Sequence, residues 1–351
     1  MIEPKNLVTN AYRFYCGNVL DIYSTWPSPQ TIISDGAYGL RGFDGDPSGV
    51  RGLSEWYLPH LRAWDQFAQP GSTLWFWNTE IGWATLHPLI ESYGWKYVQT
   101  VIWDKGIGHI AGNVNGKTIR QYPVVSEICV LYQRKTTFNT ITGPLDAQAW
   151  LRYEWERSGL PLSKANEACG VKNAATRKYL TQDWLWYWPP GEMVERMSKY
   201  TAIHGKQTDR PYFSLDGKRD ISAKEWDALR YEWHHVHGLT NIWSEGPLHG
   251  EERIRGGDFK SAPRSTAKTQ MSAMHLNQKP LEFMRRLIVS TTNVGDVVWE
   301  PFGGLASASV AAIELERYAC VAEINENFQI AARDRVQKEA ERHIPSLRLI
   351  I

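Results

Sequence analysis

The chain has 351 residues, of which 42% are hydrophobic and 22% are charged, so it is expected to fold as a globular protein. This length fits one large α/β domain, or one domain with a sizeable insertion. The 39 basic and 38 acidic residues give a formal charge of +1, which excludes a histone-like polybasic protein. It does not exclude an enzyme of nucleic acids with a locally basic face.

Membrane insertion, secretion and structural zinc are all disfavoured. No run approaches the roughly 18 consecutive apolar residues of a membrane span, and the first residues lack the apolar core of a signal peptide. The four cysteines (Cys16, Cys129, Cys169 and Cys320) lie far apart and form no Cys-x-x-Cys pair. We therefore expect a cytoplasmic protein that binds neither a membrane nor a metal ion.

The N-terminal third alternates short apolar runs with amphipathic stretches, which predicts an α/β fold. Helices are predicted at residues 53–69, ending at Pro70-Gly71, and at residues 81–93, ending at Gly94. The predicted strands are residues 13–17, 31–35, 73–78, 97–104 and 127–133.

From about residue 148 to residue 274 the strand-like runs vanish, which predicts an insertion into a single domain. The α/β pattern then returns, with helices at residues 280–291, 306–315 and 326–342 and strands at residues 297–302 and 318–324. The predicted divisions are therefore a first half at residues 1–147, an insert at residues 148–271 and a second half at residues 272–351.

A nucleoside-binding unit is predicted near the C-terminus. The strand that starts at Val297 runs into a tight turn at Gly303-Gly304, and the next strand ends in Glu323. Such a turn lets the backbone approach a nucleotide, while the acid binds ribose hydroxyls. Fewer than 50 residues follow Gly304, so the other strands of the sheet must come from the N-terminal third. This order disfavours a dehydrogenase, in which the unit opens the domain.

A second candidate site follows the predicted strand at residues 31–35. That strand delivers Asp35, and Tyr38 follows three residues later, beyond Gly36. A carboxylate and a backbone carbonyl can accept both hydrogens of a planar amino group, and an aromatic ring can stack on the base that carries it. An ordinary turn at the end of a strand is the alternative.

Three segments, taken in chain order, resemble the motifs of one enzyme family. They are Asp35–Tyr38, His275–Pro280 and Glu300–Gly304. They resemble the permuted β group of S-adenosylmethionine-dependent DNA amino-methyltransferases, which act on N6 of adenine or N4 of cytosine in bacterial restriction-modification systems. That family has Asp-Pro-Pro-Tyr, a target-recognition insert, His-Pro-Thr-Gln-Lys-Pro and Asp-Pro-Phe-x-Gly-Ser-Gly-Thr in this order. The resemblance covers roughly residues 12–135 and 272–340.

The resemblance implies a Rossmann-like methyltransferase sheet with circularly permuted motif order and a mainly helical or irregular target-recognition insert. It implies that Asp35 is the catalytic acid, that the Gly36 carbonyl is a second acceptor for the amino hydrogens, and that Tyr38 stacks on the base. S-adenosylmethionine is the implied cofactor. The residues implied to bind it are Asn18, Asn277, Gln278, Lys279, Glu300, Phe302, Gly304 and Glu323.

Two departures from the family pattern affect substrate subtype and cofactor affinity. Gly36-Ala37 replaces the two prolines of the catalytic turn, and Leu305-Ala306 replaces Ser-Gly after Gly304. The cysteines exclude methylation of carbon 5 of cytosine, because that reaction needs a thiolate nucleophile. The enzymes that methylate carbon 5 present this thiolate in a Pro-Cys pair. No cysteine of this chain follows a proline.

Residues 162–180 of the insert are predicted to form a helix-turn-helix, with Ser163 capping the first helix and Gly170 in the turn. A small solvated hairpin is the alternative. In such a motif Asn and Arg pair with base edges, and Lys contacts phosphates. The residues expected to contact DNA are Lys172, Asn173, Thr176, Arg177 and Lys178. A second basic segment, residues 253–268, is expected to follow phosphates.

The combined prediction is a sequence-specific methyltransferase that acts on the exocyclic amino group of a base flipped out of double-stranded DNA. Asp35 at the acid position slightly favours N6 of adenine, with N4 of cytosine as the alternative. A catalytically inactive DNA-binding relative and an RNA methyltransferase are further alternatives. The sequence leaves open a homodimer and a cognate restriction endonuclease as partners.

Weaker features have two interpretations each. His234-His235-Val236-His237 has no acid or cysteine at ligand spacing, so loop or base-contacting histidines are favoured over a metal site. Arg120 and Glu127 either shape the target pocket or form a surface ion pair, and residues 103–105 are similarly ambiguous. The aromatic run at residues 184–188 is expected to belong to the core of the insert.

Overall fold

The computed structural model describes residues 7–41, 45–109, 117–172, 174–255, 274–275 and 277–343. The chain divides into two compact units, one formed by Met1–Arg134 with Glu232–Ile351 and the other by Lys135–Tyr231. The second unit corresponds to the predicted insert, but its bounds differ from the predicted residues 148–271. It takes in a short hairpin before residue 148, and the segment after Tyr231 belongs to the first unit.

The strands are β1 (Leu7–Val8), β2 (Tyr12–Cys16), β3 (Thr31–Ser34), β4 (Thr73–Asn78), β5 (Trp95–Asp104), β6 (Ser126–Arg134), β7 (Phe138–Thr140), β8 (Gly143–Leu145), β9 (Ile242–Ser244), β10 (Val297–Glu300) and β11 (Tyr318–Glu323). The helices are α1 (Leu53–Phe67), α2 (Glu80–Ser92), α3 (Ala147–Arg157), α4 (Ala165–Ala168), α5 (Gly191–His204), α6 (Ala223–Asp227), α7 (Leu281–Thr291), α8 (Ser307–Glu314) and α9 (Glu326–His343). Every strand and helix predicted in the two outer thirds is present.

The first unit contains one sheet with the strand order β1-β2-β11-β10-β3-β4-β6-β5-β9. Strands β2, β11, β10, β3 and β4 are mutually parallel, whereas β6 lies antiparallel between β4 and β5. Strands from both ends of the chain therefore share the sheet. This arrangement was predicted from the small number of residues that follow Gly304. This mostly parallel sheet with its helices confirms the predicted α/β fold class.

The strand directions bring distant polar residues to one edge of the sheet. The carboxyl ends of parallel strands share an edge, which here carries Asp35 after β3, Glu300 at the end of β10 and Glu323 at the end of β11. Because β6 runs the opposite way, its first residues lie at the same edge, and Glu127 pairs with Trp103 near the end of β5. Ligands of open α/β sheets bind at this edge.

Tryptophans fill the core of the first unit. Trp64, Trp75, Trp77 and Trp299 are all buried. Trp299 stacks on the Tyr23 ring with centroids 5.4 Å apart, and its indole N–H donates to the Pro27 carbonyl at 2.9 Å. Such large side chains remove much apolar area from water, and the indole N–H groups of Trp64 and Trp75 also find acceptors, in Tyr23 and Thr291.

The second unit has a separate aromatic core. The Trp150 ring stacks on Phe138 at 4.1 Å between centroids and on Trp226 at 6.0 Å. Trp186 and Trp188 pack against this cluster, as expected, but Trp184 is 88% exposed and Tyr187 is also exposed. The prediction that the whole run at residues 184–188 belongs to the core is therefore wrong for Trp184 and Tyr187.

The predicted helix-turn-helix is wrong. Helix α4 ends after four residues, because Gly170 adopts a left-handed conformation (φ +68°), and Ser163 caps no helix. The predicted second helix is a five-residue 3₁₀ segment, Thr176–Leu180. A 3₁₀ segment of this length cannot present an extended reading face, since the i and i+3 side chains eclipse.

Among the helices of the described ranges, none combines the length and the apolar composition needed to cross a bilayer. In the same ranges no three His, Cys, Asp or Glu side chains are grouped so that they could hold a metal ion. His234 is instead fixed within its loop. Its backbone N–H donates to the Ser290 carbonyl at 2.8 Å, and its Nε2 lies 3.0 Å from Asn293 Oδ1.

Candidate active site

A cavity of about 720 Å³ opens at the carboxyl edge of the sheet in the first unit. Its volume lies within the usual range for sites that bind small molecules. Ten of the eleven residues predicted to act in catalysis or cofactor binding line it, namely Asn18, Asp35, Gly36, Asn277, Gln278, Lys279, Glu300, Phe302, Gly304 and Glu323. The eleventh, Tyr38, is not among the described residues that line the cavity.

The glycine turn after β10 is held against the end of β11. The Gly303 N–H donates to the Ala322 carbonyl at 2.8 Å, and a Cβ on Gly303 would lie 2.7 Å from Val321 Cγ2. The Gly304 N–H donates to Glu323 Oε2 at 2.5 Å, and the Asn325 N–H donates to Glu323 Oε1 at 2.6 Å. Backbone N–H groups of Gly304, Ile324 and Asn325 thus act on a carboxylate with about four lone-pair positions, so acceptor capacity remains for a ligand.

Two buried acids of this cavity hold their protons more tightly than usual. Burial raises the pKa of Glu323 to about 7, although backbone N–H donors oppose the shift. Burial likewise raises the pKa of Glu300 to about 7. The Glu300 oxygens accept the N–H groups of Ala308 at 3.0 Å and Ser309 at 2.7 Å, so this acid caps the start of α8.

Ala306 occupies the position at which the family pattern has glycine, and its backbone is left-handed (φ +57°). That conformation costs a residue with a Cβ roughly 1–2 kcal/mol. We therefore expect Ala306→Gly to raise the free energy of unfolding by about 0.5–1 kcal/mol, once the greater entropy of glycine in the unfolded chain is deducted. Chemical denaturation measures the change, and a loss of stability would contradict it.

Aromatic side chains form another part of the wall. The Phe302 ring lies 5.1 Å from Trp56 and 4.8 Å from His60 between centroids, and all three line the cavity. Burial lowers the pKa of His60 to about 4, so its ring is neutral near pH 7. Trp56 and His60 were not predicted, although their i, i+4 spacing on α1 places both on one helix face.

The turn that carries Asp35 is held from two sides. The Ala37 carbonyl accepts the Asn78 side-chain N–H at 2.9 Å and the Tyr57 hydroxyl at 3.1 Å. A Cβ on Gly36 would lie 2.7 Å from the Phe302 ring and 2.8 Å from the Tyr57 hydroxyl oxygen. These contacts fix the turn without the prolines of the family pattern.

The Asp35 carboxylate belongs to a network of alternating charges. Lys279 Nζ lies 2.8 Å and 2.9 Å from the two Asp35 oxygens and 2.9 Å from Glu127 Oε1. Lys105 Nζ lies 2.8 Å from Glu127 Oε2. The Tyr38 hydroxyl lies 2.8 Å from Asp35 Oδ1 and 2.6 Å from Glu127 Oε1. Glu127 is thus buried in the site, and the predicted alternative of a surface pair with Arg120 is wrong.

Burial and charge set the protonation states of this network. Burial acts to lower the pKa of Lys279, but the Asp35 and Glu127 carboxylates outweigh it and raise the pKa above its usual range. Burial acts to raise the pKa of Glu127, but the Lys279 and Lys105 ammonium groups bring it well below its usual range. Burial, with the Asp35 and Glu127 charges, raises the pKa of Tyr38 and keeps its hydroxyl protonated.

Residues 277–279, which precede α7, make contacts of different kinds. The Gln278 side chain accepts the Ile254 N–H at 3.0 Å and donates to the Glu252 carbonyl at 2.9 Å, so its amide fixes the segment at residues 252–254. The Asn277 N–H donates to His275 Nδ1 at 3.2 Å. The Lys279 ammonium, predicted to face a cofactor, pairs with Asp35 while its side chain lines the cavity.

The residues predicted to contact DNA lie in the second unit, and they differ in exposure. Lys172, Arg177 and Lys178 are exposed. Thr176 is 3% exposed, and its hydroxyl donates to the Asn166 side chain, so its predicted contact with DNA is wrong. Asn173 lies outside the described residues, as do residues 256–273 of the second basic segment.

Three solved structures are similar to this chain over most of its length. The M1.HpyAVI complex with SAM is 12% identical with a TM-score of 0.47, covering 93% of this chain and 98% of the other. TTHA0409 of Thermus thermophilus, described as a DNA modification methylase and complexed with S-adenosyl-L-methionine, is 14% identical (TM-score 0.45; 94% and 96%). The cytosine-N4-specific PvuII DNA methyltransferase is 11% identical (TM-score 0.49; 96% and 94%).

These identities and TM-scores are too low to support an argument about activity. The match to a protein family is more direct, because the sequence model of the N6/N4 DNA methylase family matches residues 29–334, which is most of the chain. The matched region includes Asp35, Lys279, Glu300 and Glu323, all of which line the cavity. The chain therefore belongs to the N6/N4 family of DNA methylases.

Proposed function

We propose that this protein is a site-specific DNA methyltransferase of the permuted β group. It transfers a methyl group from S-adenosylmethionine to the exocyclic amino group of a flipped base, with N6 of adenine favoured. The observation that carries the proposal is the single cavity whose wall joins Asp35 and Gly36 to Glu323 and the glycine turn. One site of this kind can hold a nucleoside cofactor and an amino group side by side.

The cavity fits the proposed cofactor. Gly303 packs closely against the end of β11, where a Cβ would lie 2.7 Å from Val321 Cγ2, and Glu323 offers acceptors for ribose hydroxyls beside this turn. The Phe302, Trp56 and His60 rings provide an apolar wall suited to a planar base. When bound, S-adenosylmethionine supplies an electrophilic methyl group on its sulfonium.

On the substrate side, this chain's residues act on the amino group of the base. Asp35 and the Gly36 carbonyl are the proposed acceptors for its two hydrogens, which increases the electron density on nitrogen. The amine is a neutral nucleophile, so no covalent intermediate is needed, and rate enhancement comes from positioning and electrostatics. Tyr38 is the proposed residue that stacks on the base, and its hydroxyl is hydrogen-bonded to Asp35 and Glu127.

A base in a duplex cannot reach this cavity without leaving the stack, so the enzyme must bind DNA on both sides of the target. The second unit supplies a candidate surface. A groove of about 960 Å³ is lined by the exposed Arg177 and Lys178 and by the half-buried Arg152, which pairs with Glu156. The exposed Trp184 follows Asp183 of its wall. Exposed cations attract phosphates, and an exposed indole can stack on bases.

Arg177→Ala is expected to weaken binding of the recognised duplex about tenfold at physiological salt, since one charge-assisted contact is lost. If Arg177 contacts a base edge, its loss also relaxes sequence selection. If it contacts a phosphate, its loss weakens binding of all sequences alike and lowers the salt dependence. Fluorescence anisotropy with specific and scrambled duplexes distinguishes these outcomes. Lys199→Ala is the matched control, because Lys199 is exposed but pairs with Glu195 on α5. Unchanged affinity of the Arg177 variant would remove it from the DNA surface.

The proposed function is tested by sequencing modified bases in DNA from cells that express the protein, with Asp35→Ala as the inactive control. The expected result is N6-methyladenine at one short motif that is absent from the control. N4-methylcytosine would assign the cytosine subtype instead. No modified base, together with DNA binding but no cofactor binding at tens of micromolar, would overturn the proposal in favour of an inactive DNA-binding relative.

A further inference from the structure

Lys279 is the most enclosed member of the charge network around Asp35. Its side chain is 3% exposed, and its ammonium also lies over the rings of Trp77 at 5.2 Å and Tyr38 at 5.5 Å. Four charged groups follow one another as Lys105, Glu127, Lys279 and Asp35, with opposite signs at each step. A buried charge that loses its partner is costly, so these four charges are held as a set.

The donors of Lys279 are all in use. An ammonium group has three N–H donors, and here its partners are Asp35, Glu127 and the Tyr38 hydroxyl at 3.3 Å. A direct hydrogen bond from Lys279 to a substrate would therefore require one of these contacts to break. As long as they persist, Lys279 acts on the reaction through Asp35.

Glu127 is one step further from the reacting groups. Within the described chain it is not part of the cavity wall, whereas Asp35 and Lys279 are. One oxygen of Glu127 holds Lys279, and Lys105 holds the other oxygen. The Asp35 carboxylate has about four lone-pair positions, and Lys279 and Tyr38 occupy those that face the network. Asp35 lines the cavity, so the remaining acceptor capacity of its carboxylate is available to a ligand there.

We propose that Lys279 and Glu127 are positioning residues that fix the orientation of the Asp35 carboxylate for the amino group of the target base. Glu127 acts by holding Lys279, and Lys279 acts by holding Asp35. The inference rests on the proposed function, and it adds two residues from different parts of the chain to the catalytic arrangement.

The central test uses the charge-balanced double variant Lys279→Met/Glu127→Gln. Removing Lys279 alone leaves two buried acids with one lysine, and such a variant can fail to fold. The double variant keeps one acid and one base, Asp35 and Lys105. We expect it to fold, to bind labelled S-adenosylmethionine within about threefold of the wild type, and to keep the KM for DNA within about threefold. Its kcat is expected to fall about thirtyfold, as for an imperfectly oriented catalytic group.

The single variants test the order of action. Glu127→Gln is expected to lower kcat about fivefold in the wild type and to have less than a twofold effect in a Lys279→Met background, because Glu127 acts through Lys279. Lys279→Arg keeps a cation between the two acids and is expected to retain a tenth or more of the wild-type kcat. The matched control is Arg286→Met/Glu245→Gln, which removes another half-buried ion pair (2.6 Å) outside the cavity wall and should leave kcat unchanged.

A folded double variant with kcat within twofold of the wild type would overturn the inference, as would additive effects of the two single substitutions. Either result leaves the proposed function intact, because the wild-type enzyme still methylates DNA. A wild-type protein that binds cofactor but methylates no DNA would overturn the proposed function and this inference together.

Discussion

Replacing Asp35 with alanine is expected to lower kcat for DNA methylation at least about 1,000-fold while cofactor affinity changes less than about threefold. The substitution removes the proposed acceptor of the amino hydrogens and leaves the Lys279 ammonium without its Asp35 partner. Loss of one preorganised electrostatic contact at a reacting centre typically costs a factor of about 100–1,000. Lys279 and Lys105 then share one acid, Glu127, and the excess positive charge repels the same hydrogens and adds to that loss.

Asp35→Asn separates charge from shape. The amide retains one acceptor and nearly the same volume, so a loss in kcat close to that of Asp35→Ala would assign the effect to the carboxylate charge. Single-turnover transfer of labelled methyl groups measures the chemical step, and equilibrium dialysis measures cofactor binding. Asp104→Asn is the matched control, because Asp104 ends strand β5 at the same sheet edge but is outside the cavity wall. An Asp35→Ala enzyme with a tenth of the wild-type kcat would refute the catalytic assignment.

The sheet and its functional edge could be predicted because they follow from local patterns. Apolar runs of strand length followed by Asp35, Glu300 and Glu323 are visible in the sequence, and parallel strands bring their carboxyl ends to one edge. The cofactor half of the candidate site needed no knowledge of side-chain contacts. Its acid and its glycine turn are 19 residues apart along the chain.

The charge network could not be predicted in the same way. Lys279 and Asp35 are 244 residues apart, and Tyr38 and Glu127 are 89 residues apart. Which residue stands beside Asp35 depends on the reversed direction of β6, which puts the start of that strand at the ligand edge. A short sequence window does not reveal whether a strand is parallel or antiparallel to its neighbours. A surface position for Glu127 was therefore an equally good prediction.

The failed helix-turn-helix shows the converse problem. The basic residues from Lys172 to Lys178 have suitable types and spacing for a recognition helix, but propensity is a weak prior for a segment this short. The fold uses Thr176 as a buried anchor to Asn166 and leaves Arg177 and Lys178 exposed. Basic residues could be predicted to face solvent, while the backbone that presents them could not.

The second large effect is expected at Glu323. Glu323→Ala should weaken binding of S-adenosylmethionine at least about 100-fold, since hydrogen bonds from two ribose hydroxyls to a charged acceptor are each worth about 1.5–3 kcal/mol. The Gly304 and Asn325 N–H groups also lose their acceptor, so circular dichroism must first show that the variant is folded. Affinity within threefold of the wild type would remove Glu323 from the cofactor site.

The pH dependence of cofactor affinity tests whether the ionised Glu323 carboxylate is the ligand-binding form. With a pKa of about 7, Glu323 is mostly neutral at pH 6 and mostly charged at pH 8, so wild-type affinity should rise about tenfold over this interval. Without ligand, the same raised pKa lowers stability as the pH rises from about 4.5 to about 7, because the native carboxyl keeps a proton that the unfolded chain has released. Bound cofactor should reverse that loss.

Glu300→Gln decides which of the two acids is responsible, because burial gives Glu300 a pKa of about 7 as well. The Glu300 oxygens accept the N–H groups of Ala308 and Ser309, so its ionisation serves the start of α8 more than a ligand. The rise in affinity between pH 6 and pH 8 should therefore survive in Glu300→Gln and disappear in Glu323→Gln. The opposite pattern would transfer the ribose-binding role to Glu300, and a rise that persists in both variants would assign it to neither.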